Sequence, residues 1–284
     1  MKGIMIAAHM GMGVFCLGLA MSVHHNAVAG ERRFPGFRVG VQSYCFRNFD
    51  LDGALKNTQE LGLRNIEFYG KHASHDMSAE QLEGIKKKLE ATGIRVVAYG
   101  VVGFGGNEEA NEKIFKFAKD MGIRTITADP APESFESLEK LVKKYNIRVA
   151  IHNHGPGSRY SSLEDVLKAV EGRDKRIGVC IDNGHFQRSG VDSVEVARKL
   201  GERVHAVHIK DLDEKNHDQI LGQGKADIPA FLKALKEVGF RGPLDLEYEV
   251  EPENPVPSMK KCLDYLEGVC RGARKADRAS SPEE

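Results

Sequence analysis

Short apolar runs alternate with segments of helical periodicity from residue 37 onwards. Many residues of these runs are β-branched, which is typical of buried strands. The segments between them, such as EQLEGIKKKLEAT and IPAFLKALKEV, repeat apolar residues every three or four positions and predict amphipathic helices. The predicted strands are Phe37–Tyr44, Asn65–Tyr69, Val96–Val101, Thr125–Ala128, Val149–His152, Ile177–Asp182, Val204–Ile209 and Leu244–Glu249.

A short phrase recurs where each helical segment gives way to a strand. It reads Gly62-Leu63-Arg64, Gly93-Ile94-Arg95, Gly122-Ile123-Arg124 and Gly239-Phe240-Arg241, and Asn146-Ile147-Arg148 is the same phrase with Asn for Gly. Gly or Asn suits the left-handed residue just past a helix, and the apolar residue after it opens the strand. The repetition marks βα units and predicts an α/β fold, a single closed (β/α)8 TIM barrel. An open doubly wound sheet is the alternative.

The first residues of the chain have the pattern of a secretory signal peptide. Lys2 precedes an apolar run from Ile4 to Ala20, and Ala27-Val28-Ala29 is a small-x-small cleavage site. We therefore expect residues 1–29 to be removed and the protein to be exported, to the periplasm or beyond the cell. The apolar run is short for a membrane span, which needs about 20 residues, and a buried N-terminal helix or an anchor is the alternative. The barrel is expected over residues 30–271, followed by a frayed polar tail over 272–284.

The overall charge is balanced, with 41 Lys and Arg against 41 Asp and Glu. Proteins that bind the phosphate backbone normally carry a basic excess, so we expect no nucleic-acid partner. The same balance argues against attraction to an anionic membrane surface once the signal is removed. A small-molecule partner is the remaining expectation, and the sequence does not indicate an oligomeric state.

Polar residues gather at the carboxyl ends of the predicted strands, where active sites of TIM barrels lie. Several buried charges at one mouth need a cation or a substrate to compensate them. Two imidazoles and two carboxylates suit a divalent ion, with Mn²⁺ as the first candidate and Co²⁺, Fe²⁺, Zn²⁺ or Mg²⁺ as others. A structural polar cluster is the alternative. The candidate ligands are His152, Asp182, His208 and Glu247, while His205 has the opposite parity to His208 and is expected in the core.

Four stretches resemble the xylose isomerase-like sugar phosphate isomerase/epimerase superfamily. They are LRNIEFYGKH, VCIDNGHF, VHAVHIKDLD and LGQGKADIPAFLKALKEVGFRGPLDLEYE. The resemblance runs from about residue 36 to 268 and implies a TIM barrel. It also implies a metal held by an acidic residue after strand 5, an Asp after strand 6, a His after strand 7 and a Glu after strand 8.

The last three of these positions match Asp182, His208 and Glu247, and His185 matches a histidine that contacts substrate in that family. Strand 5 departs from the pattern, because sugar epimerases of the family carry Glu where this chain has His152. The departure removes one carboxylate of the two-Glu proton shuttle used by those epimerases. We expect His152 to be a metal ligand in its place.

The resemblance implies a metal-dependent isomerase or epimerase that acts on a keto-sugar through an enediolate. Glu247 is then both ligand and base, and the second proton carrier is sought among the other polar residues of the mouth. An exported lyase or hydratase that acts on 3-keto-glycosides with the same metal is the second hypothesis. A non-catalytic carbohydrate-binding barrel is the third. The candidate proton carriers besides Glu247 are His154, His185, Lys210, Glu67 and Glu249.

Overall fold

Eight parallel strands close into a barrel, which confirms the predicted fold class. The computed structural model describes residues 33–279, so the predicted signal peptide at 1–29 lies outside the described residues. Around the barrel the strands follow the order β1, β8, β7, β6, β5, β4, β3, β2. Their bounds are β1 Arg38–Gln42, β2 Asn65–Phe68, β3 Arg95–Phe104, β4 Thr125–Pro130, β5 Arg148–His152, β6 Ile177–Asp182, β7 Val204–Ile209 and β8 Pro243–Leu246.

Helices join the strands and cover the outside of the barrel. The last helix continues to Ala279, into the predicted polar tail. Within residues 33–279, none of the helices combines the length and the apolar character needed to cross a bilayer. The helices are α1 Leu51–Glu60, α2 Ala79–Thr92, α3 Glu108–Asp120, α4 Phe135–Tyr145, α5 Leu163–Val170, α6 Asn183–Arg188, α7 Ser193–Leu200, α8 Ile228–Glu237 and α9 Val256–Ala279.

The recurring joint adopts the predicted left-handed backbone. Gly93 ends α2 with φ of 65°, and Asn146 ends α4 with φ of 51°. These residues turn the chain back towards the barrel, and the apolar residue that follows each of them is buried. Because of this joint, the strands that follow it all start at the same end of the barrel.

Side chains of the strands alternate between the barrel interior and the helical layer. On β5, Val149 and Ile151 belong to the large hydrophobic core beneath the helices. Ala150 forms a separate small cluster with Cys180 and Ala206, of which Cys180 and Ala206 are in register between β6 and β7. The interior is thus filled by small side chains immediately below the residues that end these strands.

Several strand ends differ from the prediction: β1 ends at Gln42 instead of Tyr44, and β3 and β4 extend to Phe104 and Pro130. The eighth strand ends at Leu246 instead of Glu249, because the amide of Tyr248 turns to the Cys45 sulfur at 3.1 Å instead of joining the sheet. A small antiparallel pair, Asp211–Leu212 with Asp218–Gln219, follows β7 and was not predicted. Two-residue strands are too short to leave a periodic signal.

Candidate metal centre

The four candidate ligands converge at the carboxyl ends of β5 to β8. One donor atom from each of them lies within 4.8 Å of all the others. His208 Nδ1 lies 3.0 Å from His152 Nε2 and 3.0 Å from Glu247 Oε2, and His152 Nε2 lies 3.6 Å from Asp182 Oδ2. All four side chains are buried. The structure thus brings together the set that the sequence assigned to a metal.

The chemistry of these donors fits a divalent cation. Asp182 Oδ2 and Glu247 Oε2 are buried and accept no hydrogen bond from the described residues, although the Lys210 ammonium group lies 3.3 and 3.2 Å from them. Buried carboxylate oxygens without a donor are costly unless a cation compensates them. Two nitrogen and two oxygen donors favour a borderline ion of the Mn²⁺ to Zn²⁺ series. The residues present therefore fit the metal that the sequence predicts.

His208 is oriented from behind by a buried carboxylate. Its Nε2 lies 3.0 Å from Glu67 Oε2, and Glu67 also accepts from Gln42 at 2.9 Å and from the Thr127 hydroxyl. Burial lowers the pKa of His208, but Cys180, Glu67 and Glu247 together raise it well above its usual range. Glu67 was predicted as a candidate proton carrier from the sequence; the structure places it behind His208, where it fixes the ring of a candidate ligand.

A second buried carboxyl group, that of Asp245, belongs to the residue of β8 that pairs with His208 in the sheet. Asp245 points into the barrel from β8 and is fully buried. Burial, and then the charge of Glu67, raise the pKa of Asp245 well above its usual range. A side chain at Gly40 would place its Cβ 2.1 Å from Asp245 Oδ1, so only glycine at that position leaves room for Asp245.

Lys210 contributes a buried positive charge beside the ligands. Its Nζ lies 3.3 Å from Asp182 Oδ2, 3.2 Å from Glu247 Oε2 and 2.5 Å from Glu249 Oε1. Burial disfavours the charged forms of Lys210 and Glu247, but the attraction between the ammonium group and the neighbouring carboxylates is larger. The pKa of Lys210 is therefore raised well above its usual range, and the pKa of Glu247 is lowered to about 2. Lys210 is therefore a permanent ammonium group that donates hydrogen bonds and does not act as a base.

Two asparagines fix the strand ends and were missed from the sequence. Asn153 donates to the Asp182 carbonyl at 2.9 Å and accepts from the Asp182 amide at 2.8 Å. Asn183 makes the same pair of bonds to the backbone of Lys210, both at 2.8 Å. Each asparagine directly follows a ligand, in His152-Asn153 and Asp182-Asn183, and that repetition is the signal that could have identified them.

His154 and His185 lie at the rim of the site. The ring of His154 is 4.6 Å from that of His152 and 5.2 Å from that of His185. The backbone amide of His185 donates to Asp182 Oδ1 at 2.7 Å, so Asp182 caps α6 with one oxygen and faces the other ligands with the second. Burial lowers the pKa of His185 to about 4, and its imidazole is therefore neutral near pH 7.

Other strand-end residues lie away from the ligands or serve the loops. Asp211 accepts backbone amides from Gly222 at 2.8 Å and from Gly224 at 3.0 Å, and it thereby holds the loop before α8. His205 is buried and contacts the Lys175 carbonyl at 2.9 Å, in the cavity lining at the opposite end of the barrel. Its exclusion from the ligand set agrees with the predicted parity.

Comparison with known proteins gives related barrels of several activities. An inosose dehydratase of Mesomycoplasma hyopneumoniae (strain 7448) is 27% identical over 294 residues, which span 84% of this chain and 97% of that protein. An inosose isomerase of Bacillus velezensis is 25% identical over 55% of this chain and 66% of its own length. A solved structure of an uncharacterised protein from Parabacteroides distasonis ATCC 8503 superposes with a TM-score of 0.66 at 32% identity. It covers 81% of this chain and 98% of that one.

The family model described as xylose isomerase-like TIM barrel matches residues 55–268. This range contains seven of the eight barrel strands, β2 to β8, and every candidate ligand. The match agrees with the resemblance seen in the sequence motifs and with the closed barrel. The chain belongs to the xylose isomerase-like TIM barrel family.

Proposed function

We propose that this chain is a divalent-metal-dependent lyase that removes a proton next to the carbonyl group of a small polyhydroxylated ketone and expels the oxygen substituent β to that carbonyl. The observation that carries the proposal is the asymmetry of the site. A carboxylate, Glu247, lies beside the ammonium group of Lys210, whereas the end of β5 contributes His152, whose imidazole clusters with those of His154 and His185. An epimerase that uses two carboxylates as equivalent bases needs one of them on each face of the substrate.

Each bond change has an assigned group. Glu247, with a pKa of about 2, is ionised at neutral pH and takes the proton from the carbon next to the carbonyl. The electron pair of that C–H bond forms a C=C bond while the C–O bond to the leaving group breaks. The leaving oxygen receives a proton from His154, which is half-buried at the rim and open to solvent. Lys210 donates hydrogen bonds to substrate oxygens that gain negative charge.

A divalent cation held by His152, Asp182, His208 and Glu247 would polarise the carbonyl and lower the barrier to proton removal. The rest of the site orients the groups. Glu67 holds the His208 ring, and Asn153 and Asn183 hold the backbone of Asp182 and Lys210. The dehydratase activity of the Mesomycoplasma relative supports elimination as the outcome.

Isomerisation or epimerisation of a keto-sugar is the second candidate. It begins with the same proton transfer to Glu247, and the Bacillus relative is an inosose isomerase. It would require a second group to return the proton to another carbon or to the other face, and His154 or His185 would have to do so. The predicted export signal fits either reaction with an unphosphorylated substrate, such as a keto-glycoside.

Proton NMR in D₂O distinguishes these outcomes. The Mn²⁺-loaded protein would be incubated with 2-keto-inositol and with a 3-keto-glucoside, and the absorbance of a conjugated enone would be followed in parallel. Loss of one C–H signal with formation of an enone supports the lyase. Deuterium incorporation into an intact carbon skeleton supports the isomerase or epimerase. Absence of both with every ketone tested would contradict the proposal.

A further inference from the structure

A second cavity, of about 1040 Å³, opens at the end of the barrel opposite to the metal centre. Residues at the starts of the strands form its wall, and His205 lies among them. In the described part of the chain, its lining includes a single carboxylate, Glu202, against Lys175 and six arginines. The arginines are Arg38, Arg95, Arg124, Arg148, Arg176 and Arg241.

The recurring Gly-x-Arg joint produces this concentration of charge. Each joint delivers one arginine to the start of a strand, and the strands start side by side. The Arg148 amide donates to the Arg124 carbonyl at 2.9 Å, and the Val149 amide donates to the Arg176 carbonyl at 2.8 Å. Arg124, Arg148 and Arg176 therefore start neighbouring strands, which lie about 4.8 Å apart. Like charges at such positions destabilise a sheet unless an anion lies between them.

Two other arginines at this end of the barrel, Arg64 and Arg203, donate hydrogen bonds to backbone carbonyl groups. Arg64 donates to the Thr92 carbonyl at the end of α2 at 2.8 Å, and Arg203 donates to the carbonyls of Asp174 and Ile177, both at 2.7 Å. Arg64 thus caps a helix end, and Arg203 binds carbonyl groups in the turn before β6 and at its first residue.

Three arginines of the cavity have no such partner. Among residues 33–279, the guanidinium groups of Arg95, Arg124 and Arg148 make neither a hydrogen bond nor an ion pair. The carboxylate of the lining, Glu202, lies 3.7 Å from Lys175, and both side chains are 86% exposed. Neither helix capping nor internal pairing therefore explains these three charges.

We propose that this cavity binds a compact oxyanion that carries several phosphate or sulfate groups. Guanidinium groups form paired hydrogen bonds with such groups, and three exposed, unpaired ones line this cavity. The volume is slightly above the usual range for small-ligand sites, roughly 300–1,000 Å³, and leaves room for a ligand with several such groups. Since the net charge of the chain is zero, the attraction comes from this local concentration of arginines and not from the molecule as a whole. The site is independent of the reaction at the opposite mouth.

Calorimetric titration of the intact protein tests the site. Inositol hexasulfate is the first probe, because tripolyphosphate also chelates divalent metals; tripolyphosphate is the second and represents the phosphate source. The double variant Arg124→Gln/Arg148→Gln removes two unpaired guanidinium groups. The control, Lys87→Gln/Lys168→Gln, removes two exposed charges from helices outside the cavity. We expect binding to weaken at least tenfold in the arginine variant and less than twofold in the control.

Thermal unfolding without a probe separates a ligand site from a structural role. Removal of like charges should leave the melting temperature of Arg124→Gln/Arg148→Gln unchanged or higher, and inositol hexasulfate should raise that of the wild type more than that of the variant. Tighter binding of one probe identifies sulfate or phosphate as the preferred group. Failure of the wild type to bind either probe, or equal weakening in both double variants, would overturn the proposal.

Discussion

Nε2 of His208 lies 3.0 Å from Oε2 of Glu67, on the opposite side of the imidazole ring from the other candidate ligands. The contact fixes which ring nitrogen faces the site, because a carboxylate at Nε2 leaves Nδ1 free to donate its lone pair. The ring is fully buried and so is Glu67. Metal affinity should therefore depend on a residue that does not contact the ion.

Glu67→Gln should weaken metal binding by about 10- to 100-fold, in line with other losses of a carboxylate behind a ligand histidine. The reason is that Gln keeps the size of the side chain but removes the charge that orients His208. Titration of the apoprotein with Mn²⁺ measures the change. The exposed Glu80→Gln variant is the control, and equal affinity in all three proteins would show that Glu67 plays no such part.

Lys210→Met should destabilise the metal-free protein by roughly 3–5 kcal/mol, because it removes one partner from a buried group of charges. The negative charges of Asp182 and Glu247 would then repel each other without a neighbouring positive charge from Lys210. Saturating Mn²⁺ should recover part of the loss by supplying positive charge to the same oxygens. Denaturant unfolding with and without Mn²⁺ measures both effects, with the exposed Lys233→Met as control. An equal loss with and without the ion would argue against a cation beside Lys210.

Glu247→Gln should abolish proton exchange while it retains much of the metal, because Gln keeps one oxygen donor but accepts no proton. We expect deuterium incorporation to fall by about 100-fold or more, in line with the loss of a general base. Glu249→Gln should be milder, since Glu249 contacts Lys210 and is not among the four ligands. A larger effect of Glu249→Gln than of Glu247→Gln would require the base to be reassigned.

The buried imidazole of His205 should make the fold sensitive to acid. Burial, and then Arg148, lower its pKa from 6.5 to about 4. Between these values the unfolded chain binds a proton that the folded chain excludes, so stability is full above pH 6.5 and falls as the pH drops towards 4, by up to roughly 3 kcal/mol. His205→Gln should lose less stability than the wild type between pH 7.5 and pH 4.5 in urea unfolding. His217→Gln, at an exposed site, should follow the wild type.

Much of the fold was predictable because its signals are local. The strands Ile177–Asp182 and Val204–Ile209 have the predicted bounds, since β-branched runs between turn residues define them. The convergence of His152 and Asp182 followed from strand parity and from the closure of a parallel barrel.

The roles of Glu67, Asp245 and Lys210 could not be read from the sequence. They depend on contacts across the barrel between residues far apart in the chain, such as Glu67 with His208 and Lys210 with Glu249. Parity assigns a side chain to the interior but does not say which neighbour it reaches. The two asparagines leave a sequence signal in their repeated position after a candidate ligand, but their bonds to the next strand were not predictable from it.

Metal content of the purified protein tests the central claim most directly. Wild type, His208→Ala and His205→Gln would be loaded with Mn²⁺, dialysed and measured by mass spectrometry of the metal. We predict about one ion per chain in the wild type and in His205→Gln, and little in His208→Ala, because His208, unlike His205, places a nitrogen beside the other candidate ligands. Equal metal content in all three proteins, or none in the wild type, would contradict the account.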